Sequence, residues 1–273
     1  MSSFSSVFPP RALIGMVHFA PLPGYPDSPG YARVLELALA DLAALEAGGA
    51  QAVLLENNYD VPHARTLSSG AAADFLSLAR ELRARTKLPL GVCCLWNDWK
   101  SALRVAKEAG CQFVRAPVFV DRVRTHYGFD IAEDPAEILR YRREIGAENV
   151  LLFADVRVKH CVHLLTGNAA SSALQAKAAG ADAVIVTGKW TGDAPVSDDL
   201  AAVRAAVGDF PVLVGSGADA TNAASMLASA DALIVGTSLK TRKFGAHAAN
   251  VVGWEERIDA EKVRALAAAT SNP

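Results

Sequence analysis

Four ionisable residues stand where apolar runs end: His18 in "GMVHF", Glu56 in "VLLEN", Asp155 in "LFADV" and Lys159 in "VRVKH". A histidine and two carboxylates can move protons, and a buried lysine beside other charges can act as a base or Schiff-base nucleophile. The alternative for Lys159 is a salt-bridged lysine, and for His18 a hydrogen-bonded structural histidine. Glu56 and Asp155, with His18 or His160, also offer oxygen and imidazole donors to a divalent cation such as Mg. Neither H-x-x-x-H nor D-x-D spacing supports that metal reading.

A second chemistry is written in "VLVGSGADATN" (212–222) and "LIVGTSLK" (233–240). Gly215, Ser216 and Gly217, and then Gly236, Thr237 and Ser238, follow apolar runs and precede helical turns, where free backbone N–H groups favour an anion. The pair reads as a phosphate cradle. The alternative is that the glycines only make tight turns. Lys240 either adds charge there or is solvated, and Arg242 and Lys243 read as surface residues. Asn57, Asn97, Arg115, His160, Thr187, Gly188 and Thr191 fall at comparable run ends and are candidates to contact the rest of a substrate. Asp60 lies beside Asn57, and Asp98 reads as a helix N-cap.

The elements that must position these residues alternate regularly. Strand candidates lie at 12–18, 51–57, 88–95, 111–117, 149–156, 181–188, 210–217 and 230–237. Helical periods fill 31–48, 68–86, 98–110, 133–145, 169–180, 198–207, 219–229 and 256–269. Helix-Gly-strand junctions such as "EAGGA" and "EAGCQF" imply parallel strands with right-handed crossovers. Eight such units point to an α/β fold of the (β/α)8 TIM-barrel type, with an open doubly wound sheet as the competitor. In a closed barrel the strand C-termini converge, so the polar run ends above share one mouth. Residues 1–11 read as a flexible lead-in and 12–273 as one barrel domain. Two long connections, 19–30 and 118–134, are candidate lids, with Trp96 and Trp99 as an apolar wall or as packing for a lid.

Composition narrows the classes further. With 51% hydrophobic and 21% charged residues and a formal net charge of −2, the chain can bury a large core and lacks the basic field that nucleic acid requires. The expected partner is a small phosphorylated ligand, with no nucleic acid, and the chain is compatible with a homo-oligomer. Four cysteines without C-x-x-C spacing imply a reducing, cytoplasmic setting. No run of about 18 apolar residues suggests a transmembrane segment, and the start does not read as a signal peptide.

From Ile14 to Lys240 the chain resembles the BtpA family, which includes SgcQ-like proteins. The likeness rests on "GMVHFAPLPGYP", "LLENNYDVPH", "LGVCCLWND", "ADVRVKH", "VTGKWTG", "VGSGADATN" and "ALIVGTSLK", in family order. It implies a barrel of the ribulose-phosphate-binding type. Its motifs carry over onto His18, Glu56, Asn57, Asp60, Asn97, Asp98, Asp155, Lys159, His160, Thr187, Gly188, Gly215, Ser216, Gly217, Gly236 and Thr237. Cys93, Ala116 and Pro117 depart from the family pattern, so two inward positions near the mouth are expected to differ, and the tail after Lys240 departs as well. The leading expectation is an enzyme that isomerises or cleaves a sugar phosphate or nucleoside-derived phosphate by acid–base chemistry. The resemblance also admits a non-catalytic factor of photosystem I biogenesis or stability, and the carboxylates admit a metal-assisted phosphate-ester hydrolase.

Overall fold

Apolar residues of the strands alternate between two destinations, and that alternation organises the molecule. The computed structural model describes residues 3–188, 194, 195, 197–241 and 253–271. Its strands in chain order are β1 (Ala12–His18), β2 (Ala52–Glu56), β3 (Leu90–Cys93), β4 (Phe113–Ala116), β5 (Arg122–Thr125), β6 (Asp130–Ala132), β7 (Leu151–Val156), β8 (Cys161–His163), β9 (Ala183–Val186), β10 (Val212–Val214) and β11 (Ala232–Val235). The helices are α1 (Phe4–Val7), α2 (Tyr31–Gly48), α3 (Ser69–Arg85), α4 (Trp99–Ala109), α5 (Pro135–Glu144), α6 (Ala169–Ala178), α7 (Ser197–Val207), α8 (Ala223–Met226) and α9 (Ala260–Ser271).

Strands β1, β2, β3, β4, β7, β9, β10 and β11 form a closed parallel barrel. Its seam is β1 on β11, with Ala12 opposite Ala232 and Gly15 opposite Val235. Closure excludes the open doubly wound sheet. Each barrel strand was foreseen, with ends trimmed by up to three residues. The helices also fall where the periodicity put them. Two helix ends show why: Gly49 (φ 91°) and Gly110 (φ 72°) cap α2 and α4 in the left-handed region that favours glycine. One helix is much shorter than its sequence pattern. The Asp219 carboxylate accepts the amides of Thr221 and Asn222 at 2.7 and 3.2 Å, so a side-chain turn delays α8 until Ala223.

Two apolar layers result. Leu13, Val17, Val53, Leu55, Leu152 and Ala154 face the helices, whereas Ala12, Ile14, Met16, Ala52, Leu54, Leu151 and Phe153 fill the barrel. Among the described residues, no helix is long and apolar enough to cross a membrane.

The lead-in differs from expectation. It was read as flexible, but its aromatic residues plug the barrel base. Phe8 is only 3% exposed and meets the rings of Phe113 and Phe153 at 5.3 and 5.7 Å, while Phe4 meets Phe153 at 5.8 Å. Polar neighbours disguise these two rings in the sequence "SSFSSVFPP". Phe8→Ala should therefore cost about 3 kcal/mol of unfolding free energy. Urea midpoints would measure the loss, and an unchanged midpoint would restore the flexible reading.

Candidate active site

Carried one step past the apolar interior, the strand alternation lines the mouth with His18, Glu56, Cys93, Arg115, Asp155, Thr187, Gly215 and Gly236. The first five come from β1, β2, β3, β4 and β7, so the reactive groups occupy one side. The other side is built from small residues. A Cβ at Gly236 would stand 2.7 Å from His18 Cε1, and one at Gly215 would stand 3.0 Å from Thr187 Cγ2 and 3.8 Å from Arg115 Nη2. These glycines let the two sides approach closely, since any side chain there would collide with His18 or with Ile185 and Thr187. Ala116, expected among the inward differences, has the opposite parity from Arg115 and faces away; Cys93 does face inward.

Arg115 is the centre of the charged side. Its Nε and Nη2 donate to Asp155 Oδ1 and Oδ2 at 2.8 and 2.7 Å, a bidentate pair between buried side chains. Its Nη1 lies 3.7 Å from Glu56 Oε2, and Glu56 Oε1 lies 3.5 Å from His18 Nε2. Cys93 lies opposite Glu56 on the neighbouring strand β3. Burial raises the Glu56 pKa above the ordinary carboxylate value, although Arg115 and Cys93 oppose it. Burial, then the cations Lys240, Lys159 and Arg115, push the His18 pKa well below its ordinary value. A neutral imidazole thus stands beside a carboxyl group whose burial favours the protonated form.

The loops after β10 and β11 are tied to each other and to the β9 end. Ser216 Oγ accepts the Gly188 amide at 2.8 Å, and Ser238 Oγ donates to the Ala218 carbonyl at 2.6 Å. Ser238 therefore joins the two loops through its hydroxyl. Thr237 opens the short 3-10 turn Thr237–Leu239. Among the described residues the Thr187 hydroxyl is buried without a hydrogen-bond partner, while the Thr187 methyl lies against Gly215. A buried orphan hydroxyl in such a position is suited to a ligand oxygen.

Other expected contacts have structural duties. Asn57, expected to bind substrate, accepts the Leu95 amide at 2.7 Å and donates to Asp60 at 3.1 Å. Asn97, likewise expected, grips Val118 through both its amide N–H and its carbonyl at 2.8 and 3.0 Å. Both clamp loops with the atoms a substrate would need. Asp98 caps α4 by accepting the Ser101 amide at 3.0 Å, as its position implied. Lys159 does not share the strand face of Asp155, because β7 ends at Val156 and Arg157 is left-handed (φ 53°). Lys159 still acts electrostatically on His18 and Glu56. His160 is drawn outward, its ring 6.4 Å from that of His126. Thr191, Lys189, Arg242 and Lys243 lie outside the described residues.

The connection 118–134 folds as the hairpin β5–β6 and pairs with β8, giving an antiparallel cover in the order β6-β5-β8. Trp96 packs beneath it with Val118, Val123 and Ile131, and Trp99 donates to Glu133 at 3.0 Å. For a divalent cation the donor set is a poor fit. Arg115 occupies both oxygens of Asp155 and adjoins Glu56, and among the described residues no group of three or more His, Cys, Asp or Glu is placed to hold a metal.

One contributor escaped the sequence reading, and another was left open between two roles. Tyr59 sets its ring edge-on to His18 with centroids 6.3 Å apart, and Lys240 is buried rather than solvated, donating to the Tyr59 hydroxyl at 2.9 Å. The aromatic residue in "ENNYD", right after a strand end, was the available signal for Tyr59.

Fold and site together define a TIM-barrel protein with a polar mouth at the strand C-termini. The chain belongs to the BtpA family, whose model matches residues 10–272. It is 34% identical to an uncharacterized protein of Archaeoglobus fulgidus over 94% of this chain and 97% of that one. It is also 34% identical to the photosystem I biogenesis protein BtpA of Synechocystis, over 88% and 84% of the respective chains. Among solved structures, phosphoribosyl anthranilate isomerase from Thermus thermophilus is similar in fold, with a TM-score of 0.58, 17% identity and coverage of 95% and 98%.

Asp60 supplies a pH test of the loop clamp. Burial pushes its pKa up to about 6, against hydrogen bonds from Leu22 and Asn57. A raised folded-state pKa means stability that is full below the ordinary 3.8 and lost as pH rises through about 6. Over that window the wild type should lose on the order of 3 kcal/mol relative to Asp60→Asn. Urea titrations at several pH values would detect it; parallel pH curves for the two proteins would contradict the assignment.

Proposed function

We propose that the protein is an enzyme that anchors a small sugar phosphate or nucleoside-derived phosphate and shifts a proton within it, leading to isomerisation or carbon–carbon cleavage. The observation that carries this reading is the divided mouth: His18, Glu56, Arg115 and Asp155 stand opposite a side built from Thr187, Gly215 and Gly236, where the Thr187 hydroxyl is buried without a partner among the described residues. The phosphate would lie along the loops after β10 and β11, near the Thr187 hydroxyl and the first amides of the Thr237–Leu239 turn, with Gly215, Ser216, Gly217, Gly236, Thr237 and Ser238 forming its surround. Such an anchor fixes the remainder of the molecule against Glu56 and His18.

Glu56 and the neutral His18 are close enough to share the removal and return of one proton. Arg115, immobilised by Asp155, supplies positive charge where a substrate oxygen becomes negative. Lys159 adds to that field. The four cysteines are unpaired, three of them buried, which supports a reducing compartment such as the cytoplasm.

A second reading, a partner-binding assembly factor, draws on the name of the Synechocystis relative and on Val162 and Leu165, which are 64% and 50% exposed at the edge of the cover sheet. It predicts partner capture that is sensitive to Val162→Lys and indifferent to Glu56→Gln.

Thermal unfolding against a panel of phosphorylated sugars and nucleotides tests the enzyme reading. A ligand at about one hundred times its Kd should add roughly 2.7 kcal/mol of stability. Glu56→Gln should keep that shift and lower kcat by about 10²-fold or more. Absence of any shift across the panel would refute phosphate anchoring.

A further inference from the structure

Lys240 is an unusual cation among the described residues. It follows the 3-10 turn at the end of β11, yet its whole side chain is sequestered, only 2% exposed. Its Nζ donates to the Tyr59 hydroxyl at 2.9 Å and stands 5.1 Å from the centre of that ring. Tyr59 in turn presents its ring to His18. Among the described residues, no carboxylate lies within ion-pair distance of the amine. Asp41, the acid that acts on it most, is already engaged by Arg257 at 3.0 Å and by the Ile258 amide at 2.9 Å.

An ammonium buried without a counter-ion is costly, and the uncharged amine is the form that relieves the cost. Burial brings the Lys240 pKa down to about 8; Arg257 adds to the effect, while Asp41 and Glu256 oppose it. Lys240 also acts on His18 more strongly than Lys159 does. Lys159, by contrast, is only partly buried.

We propose that Lys240, rather than Lys159, is the covalent nucleophile of this site, forming an imine with the carbonyl carbon of a small phosphorylated ketose or aldose. The proposal rests on phosphate anchoring by the loops after β10 and β11. The Nζ lone pair forms the C–N bond while the carbonyl pair moves to oxygen, which takes up a proton. The resulting carbinolamine expels that oxygen as water, and the nitrogen lone pair completes C=N. Tyr59, whose hydroxyl burial keeps protonated, is placed to donate to the departing oxygen, and His18 to accept the proton released from nitrogen. The protonated imine then receives the electron pair of an adjacent C–H or C–C bond as it breaks. No oxidant, reductant or metal is needed.

Reductive trapping tests this. The full-length protein is incubated at pH 8 with dihydroxyacetone phosphate and cyanoborohydride, and the modified lysine is located by peptide mass mapping. The free-amine fraction at Lys240 exceeds that of an ordinary lysine on the order of a hundredfold at this pH, so one adduct, on Lys240, should dominate. Inorganic phosphate should slow its formation, and Lys240→Arg should abolish it. An adduct on Lys159, or one spread over surface lysines, overturns the assignment, even if inorganic phosphate still raises the melting temperature. Equal trapping at Lys240 by dihydroxyacetone and its phosphate, without protection by inorganic phosphate, upholds the nucleophile and refutes the anchor. Mapping the wild type keeps the test valid should the Arg variant fail to fold.

Discussion

The two parallel hydrogen bonds between Arg115 and Asp155 govern the electrostatics of the whole mouth. Asp155 is fully buried, and an isolated carboxylate there would be untenable. Its partner is delivered from β4, the neighbouring barrel strand, so the pairing depends on β4–β7 registry, with Arg115 opposite Phe153. Once held, the guanidinium can neither swing into solvent nor withdraw from Glu56. The carboxyl group on β2 and the imidazole on β1 therefore meet a fixed positive charge, and their protonation is set by the scaffold.

Around this centre the connecting segments are strapped down. Asp121 accepts from the Arg157 amide and the Ser172 hydroxyl, both at 2.7 Å, linking the cover to the β7 end and α6. Glu133 reaches Asn97, Trp99 and Arg65. Asn57 and Asp60 pin the connection after β1 through the Leu22 amide at 2.8 Å. Asn57 and Asn97, two of the expected substrate contacts, are among the residues that hold these segments.

That distinction marks how far the sequence could be read. Strand alternation made the barrel legible, and it placed His18, Glu56, Arg115 and Asp155 together because parity along a strand is a local property. What Asn57 or Asn97 touches depends on loop paths, which no period encodes. Lys240 stayed open between an added charge and a solvated lysine for the same reason: only the return of Ile258 to pair beside "SLKTRK" reveals the burial. The phenylalanines of "SSFSSVF" share the difficulty, since their partners are contributed by strands more than a hundred residues away in the chain.

Those two rings impose an order on assembly. Phe4 and Phe8 leave the ribosome early, but Phe153 must be made before their socket can exist, and β1 cannot close its seam until β11 has emerged. A segment made before every barrel strand is thus among the last to be seated, leaving two aromatic side chains unsheltered while those strands are synthesised. Serines around them keep that waiting segment wettable. In the finished barrel two of these serines close the start of α1, Ser6 Oγ accepting the Ser3 amide at 3.0 Å and donating to the Ser3 carbonyl at 2.7 Å.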